Sequence, residues 1–139
     1  MSERSKPVIV FVCIENSCRS QIAEAFGKMF NQDTFEVKSA GSFPSGKLNP
    51  KAVESMADMG YDMSLHRSTS VNDLEHEKVD IMVSMGCGDA CPSLLANQRI
   101  YWEIPDPKDL TLGEFSKVRD LIKGNVEKLF EELLRVYAI

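Results

Sequence analysis

The sequence predicts an α/β fold, a small parallel sheet with helices on both faces. Three observations carry that expectation. Short, β-branched apolar runs recur along the chain, stretches of helical spacing separate them, and the turns between the two hold most residues suited to chemistry. At 139 residues the chain is long enough to bury a core and is expected to form one domain over residues 1–139.

Val8 to Val12 is continuous, β-branched and apolar, as expected of a strand buried on both faces. From Ser20 the spacing becomes helical: Ile22, Phe26, Met29 and Phe30 share one face, with Glu24 and Lys28 turned outward. Cys13 to Ser20 is therefore a strand-to-helix turn, the place where α/β folds bind ligands. Phe35 to Ala40 alternates as a second strand ending at Gly41, and a loop follows. Asn49 offers an N-cap and Pro50 suits the first position of a helix that stops at Gly60. Val79 to Met85 is a third strand, followed by the loop "GCGDACP". Arg99 to Ile104 is a fourth, with Tyr101 and Trp102 on opposite sides. "PDPKD" then turns into a last helix with Phe115, Val118, Ile122, Val126, Leu129, Leu133 and Val136 at helical spacing and Gly124 inside it. Met56, Met59, Met63, Met82 and Met85 are expected in the core.

A net charge of −5 leaves no electrostatic footprint for nucleic acid or an anionic membrane. The first residues, "MSERSKP", lead into no apolar signal region, and no apolar run approaches spanning length. Four cysteines in such a chain point to reduced thiols with catalytic or metal roles, in a cytoplasmic protein. A zinc module built on Cys13, Cys18, Cys87 and Cys91 is the rival from another class. Its spacings of four and three intervening residues depart from the two usual in a ribbon. His66 and His76 lie in polar stretches and are expected at the solvated surface.

A thiol at the end of a buried strand, facing a helix N-terminus, gains from unpaired N–H groups and the helix dipole. Arg19 adds a planar fork for two oxygens of a tetrahedral oxyanion. Ser20 can donate a hydrogen bond to the sulfur. Together these are expected to bring the Cys13 thiol from ~8.5 into the range of about 3.5–7.5. An in-line displacement also needs a proton for the leaving oxygen. Asp106, between Pro105 and Pro107 beyond the fourth strand, is the candidate, with Asp109 the alternative. Cys18 reads as a packed thiol.

With these pieces in place the chain resembles the low-molecular-weight protein tyrosine phosphatase superfamily, and more narrowly its arsenate reductase branch. "FVCIENSCRSQIAEAF" is similar to the phosphate-loop signature, "SAG" at Ser39–Gly41 follows as in the family, and "PDP" occupies the general-acid position. "LNPKAVESMADMGYDMS" resembles the helix and turn of the reductases. The resemblance implies a four-stranded parallel sheet in the order 2-1-3-4. It also implies an oxyanion loop of Ile14, Glu15, Asn16, Ser17, Cys18, Arg19 and Ser20.

Gln21 after "CRS", Lys108 after Asp-Pro, and above all Cys87 and Cys91 favour the reductases. In the implied cycle Cys13 attacks arsenate, a second thiol attacks the Cys13 sulfur, arsenite leaves and a disulfide remains. No cofactor is implied beyond an external reductant: thioredoxin, or a small thiol such as glutathione or mycothiol. Phosphate is the expected competitor. A phosphatase working through a cysteinyl-phosphate is the alternative. The gap between Cys87 and Cys91 is three residues where relatives often have six, and Glu15 stands where many have glycine. Some reductases bind potassium through residues matching Asn16, Glu24 and Ser39. A further carboxylate of that site would fall near Thr69, which has none.

Overall fold

The computed structural model describes residues 6–31, 33–74, 77–85, 96–107 and 109–137. Cys87, Cys91, His76 and Lys108 lie outside the described residues. Four strands, β1 (Val8–Cys13), β2 (Glu36–Gly41), β3 (Val79–Met85) and β4 (Ala96–Trp102), form one sheet in the order β2-β1-β3-β4. Every pairing is parallel, with Cys13 opposite Gly41 and Val12 opposite Ser84. The helices are α1 (Arg19–Phe30), α2 (Pro50–Ala57) and α3 (Leu112–Tyr137).

Alternation along β1 divides the core. Ile9, Phe11 and Cys13 join one cluster with Ile22 and Phe26 of α1, Met56 of α2, and Phe115, Ile122 and Phe130 of α3. Val10 and Val12 face the other side and pack with Ala40, Met82, and Val71 and Leu74 of a short 3-10 turn. The two apolar faces lock the register, because a one-residue slip would exchange every partner. Of the methionines expected in the core, Met56, Met63, Met82 and Met85 are fully buried and Met59 packs against it. Trp102 lies against Phe11 at 6.0 Å between ring centroids while Tyr101 is exposed.

Strand and helix bounds shift by small steps. β4 begins at Ala96 and ends at Trp102 instead of spanning Arg99 to Ile104. α2 ends at Ala57, and Gly60, at φ +83°, completes the turn out of it. Asn49 caps α2 as expected, its side chain accepting from the Lys51 N–H at 2.8 Å. Two residues depart from the expected apolar stripes. Met29 is 43% exposed and Val136 64%, both near the ends of their helices, where neighbouring elements no longer cover them.

Gly41 does what no other residue could at the end of β2. A Cβ there would lie 2.6 Å from the Ile14 carbonyl oxygen and 2.9 Å from the Asn16 nitrogen, both backbone atoms. The loop after β1 thus rests directly on the β2 backbone, held by Ser42 N–H to Cys13 O (3.2 Å) and Phe43 N–H to Ile14 O (2.8 Å). Gly41→Ala should therefore push that loop away. We expect a loss of about 1–3 kcal/mol in urea unfolding, and weaker phosphate binding by calorimetry than in the parent chain.

Candidate active site

The turn between β1 and α1 wraps a cleft of about 90 Å³ lined by Cys13, Ile14, Glu15, Ser17, Cys18, Arg19 and Asp106. That is room enough for a tetrahedral oxyanion. Cys13 ends β1 with its side chain on the helix-covered face, 3% exposed. α1 starts opposite it. Its N-cap position, Cys18, makes no side-chain capping bond, and the first turn has no acidic residue. The leading amides of α1 thus lack the usual side-chain acceptor, which suits them to an anion.

Asn16 sets the shape of the loop. It sits at φ +52°, a left-handed conformation that asparagine tolerates better than most residues, and it is fully buried. Its side-chain amide uses its whole bonding capacity. Nδ2 donates to Ser20 Oγ at 2.7 Å and to Ser39 Oγ at 3.0 Å, while Oδ1 accepts from Gln21 Nε2 at 3.0 Å and from the Thr69 N–H at 2.6 Å. Because Ser20 Oγ accepts from Asn16, its own hydrogen is free to point at Cys13 Sγ, 2.8 Å away. The contact expected between Ser20 and the sulfur is therefore present, and the Asn16 bond leaves the Ser20 hydrogen available for it. Asn16 and Ser20, both expected in the oxyanion loop, line none of the cleft with their side chains and instead support it from within.

Gln21 extends this network. Its Nε2 faces three oxygens, Asn16 O, Asn16 Oδ1 and Arg67 O, so its Oε1 is turned to His66 Nδ1 at 2.9 Å. His66 must then carry its proton on Nδ1, leaving Nε2 to accept from the Tyr61 hydroxyl at 2.7 Å. His66 is accordingly not solvated surface: its side chain is 5% exposed. Burial pushes its pKa down, against the opposing pull of Glu24 and with help from Lys28. A neutral imidazole makes no ion pair, so the 3.9 Å approach of His66 Nδ1 to Glu24 is proximity only.

Glu24 also departs from expectation. It is 9% exposed, drawn inward by the Ser39 hydroxyl and neutralised by the Lys28 ammonium at 2.6 Å. Asn16, Glu24 and Ser39 do come together, as the potassium site of some reductases requires. The donor set does not fit the ion, since Asn16 Oδ1 is taken by two N–H groups and Glu24 by Lys28. Thr69 contributes its backbone N–H where a further carboxylate would be needed.

Arg19 is 6% exposed and anchored. One terminal nitrogen donates to the Ile104 carbonyl just beyond β4 at 3.0 Å, and the other lies 3.7 Å from Asp106 Oδ2. Asp106 lines the cleft and keeps a side chain 42% exposed, whereas Asp109 does not reach it. Cys18 is buried, and burial pushes its thiol up to about 11; the nearby Asp106 and Cys13 add to the rise, while hydrogen bonds from Ser17 and Asn49 oppose it. That is the packed thiol expected of it, and its burial keeps it protonated. Gln21, Ser39, His66 and Tyr61 were legible only as a departure, a short motif or polar surface, and their joint role emerges only from the fold.

The chain matches the family model described as low molecular weight phosphotyrosine protein phosphatase over residues 8–137. It is 41% identical over 126 residues to arsenate reductase 1 of Staphylococcus epidermidis, covering 88% of this chain and 94% of that protein. Among solved structures it is similar to an arsenate reductase in the phosphate-binding state (TM-score 0.82, 32% identity, 91% of this chain and 98% of that one). It is also similar to the thioredoxin-dependent arsenate reductase of Corynebacterium glutamicum (TM-score 0.82, 27% identity, 97% of this chain and 65% of that one).

The buried neutral His66 has a consequence for acid stability. Its pKa is lowered on folding, so the unfolded chain binds the extra proton more readily. The contribution is complete above the unfolded value of about 6.5 and is lost as pH falls through the lower folded value. His66→Gln, which keeps a donor and an acceptor, should lessen the fall in urea midpoint between neutral and mildly acidic pH. An unchanged pH slope would mean that His66 does not titrate with folding.

Proposed function

The chain belongs to the low molecular weight phosphotyrosine protein phosphatase family, and within it we propose that this protein is an arsenate reductase working through Cys13. One observation supports the reading above others: Cys13, Arg19 and Asp106 converge on a cleft that admits a tetrahedral oxyanion, in a chain 41% identical to a reductase. Arsenate enters with its oxygens toward the amides of the turn and α1 and toward the Arg19 fork. The Cys13 sulfur attacks arsenic from the β1 side. Asp106 delivers a proton to the departing oxygen, which leaves as water. Its 3.7 Å separation from the guanidinium suits a group that must be close to the oxyanion without being locked in a bidentate pair.

The adduct then needs a second thiol. That thiol attacks the Cys13 sulfur, an S–S bond forms, and the S–As bond breaks with its electron pair passing to arsenic, which leaves as arsenite. We assign the second and third sulfurs to Cys87 and Cys91, on the strength of their position in the sequence shortly after β3, a strand that runs parallel to the one ending at Cys13. Cys87 attacks first and Cys91 resolves the pair. A thioredoxin-type dithiol returns the electrons, supported by the likeness to the thioredoxin-dependent enzyme; glutathione or mycothiol is the other donor class. The cycle uses no further cofactor. Cys18, protonated and enclosed, takes no part. Phosphate occupies the same cleft but accepts no electrons, so it competes.

Cys13→Ser should abolish arsenate reduction together with any aryl phosphatase activity; substantial turnover would end the assignment. Asp106→Asn should keep phosphate binding while slowing reduction by ~10²–10⁴. If Asp109→Asn shows that phenotype, the proton donor has been misassigned. Cys91→Ser should trap a Cys13–Cys87 disulfide after one turnover, detectable by peptide mapping. Full turnover by both Cys87→Ser and Cys91→Ser with glutathione would move the second step to an external thiol.

A further inference from the structure

The loop that carries Asp106 is tied down from two directions, and only one tie belongs to the oxyanion machinery. Upstream, Arg19 holds the Ile104 carbonyl at 3.0 Å. Downstream, the Lys51 ammonium holds the Leu110 carbonyl at 2.6 Å, and Leu110 N–H turns back to Pro107 O at 3.0 Å. Pro105 and Pro107 stiffen the chain on either side of Asp106.

Lys51 is itself rigidly placed. It stands in the first turn of α2, where its own N–H is taken by the Asn49 cap and Asn49 N–H donates to Ser17 O at 3.0 Å. Arg119 of α3 grips the other end of α2 through Ser55 O at 3.1 Å and Ser55 Oγ at 3.2 Å. The start of α2 thus touches the anion-binding turn through Asn49 and the proton-donor loop through Lys51. A charge-assisted bond from a part-buried ammonium to a loop carbonyl is a strong way to set such a distance.

We propose that Lys51 is a positioning residue for the chemical step, holding Leu110 so that the Asp106 carboxyl stays at the Arg19 side of the cleft. The inference rests on Asp106 being the proton donor. Lys51 is not among the described residues that line the cleft; it acts through the loop. Its loss should therefore lower the rate of proton delivery and leave oxyanion affinity alone.

The test is a double-variant cycle on the full chain, measuring kcat and KM for arsenate with excess reductant and inhibition by inorganic phosphate. Lys51→Met should lose about 10–100-fold in kcat, with KM and phosphate inhibition near those of the parent. Lys51→Arg, which restores a cation at that carbonyl, should recover most of the rate and shows that loss in Lys51→Met is not misfolding. Asp106→Asn combined with Lys51→Met should be no slower than Asp106→Asn alone, because a positioning residue has nothing left to position. Full kcat in Lys51→Met, or losses that multiply in the double variant, would overturn the inference. Parent-like kcat in Asp106→Asn would instead remove the proton donor itself, and Lys51's role with it.

Discussion

The active site depends on one buried side-chain amide. Asn16 holds a left-handed backbone that bends the turn into a cradle, and its four hydrogen bonds tie together β2, α1 and the segment before the 3-10 turn. A partly satisfied amide at that depth would cost about 1–3 kcal/mol per missing partner. The network therefore holds as a unit. Of the two serine hydroxyls that accept from Asn16, Ser39 passes its hydrogen to Glu24, whereas Ser20 keeps its hydrogen available to the Cys13 sulfur, 2.8 Å away. A purely apolar support could shape the turn equally well but could not aim a hydrogen at it.

Arg19 couples binding to the far end of the sheet. The same guanidinium that faces the cleft holds β4's exit, so the oxyanion site and the Asp106 loop share one rigid reference. This arrangement depends on parallel topology. Only because β1 and β4 run in the same direction do the turn after one and the loop after the other meet at a single edge.

The strands and helix starts were legible because each has a local signature, an apolar run or a cap, whereas the strand order came from the family resemblance. A strand end and a proline frame were enough to bring Cys13, Arg19 and Asp106 to one cleft. Glu24 and His66 were not legible. Helical spacing put Glu24 outward, and composition put His66 at the surface. Both predictions failed because hydrogen-bond partners brought in by the fold, Ser39 for one and the distant Gln21 with the nearby Tyr61 for the other, outweigh the tendency of polar groups to stay in water. Lys51 was equally silent, since a lysine two residues after a cap looks like ordinary helix surface. Its role depends on where Leu110 returns in space.

The missing side-chain cap of α1 would link ligand binding to folding on the proposed function. An oxyanion in the cleft would then complete the first turn of that helix, which has no side-chain cap of its own. Any ligand that binds the folded chain alone raises its unfolding free energy by RT ln(1 + [L]/Kd). On the proposed function, phosphate would thus have two opposite effects: it would occupy the place of the substrate and raise the thermal resistance of the enzyme it inhibits.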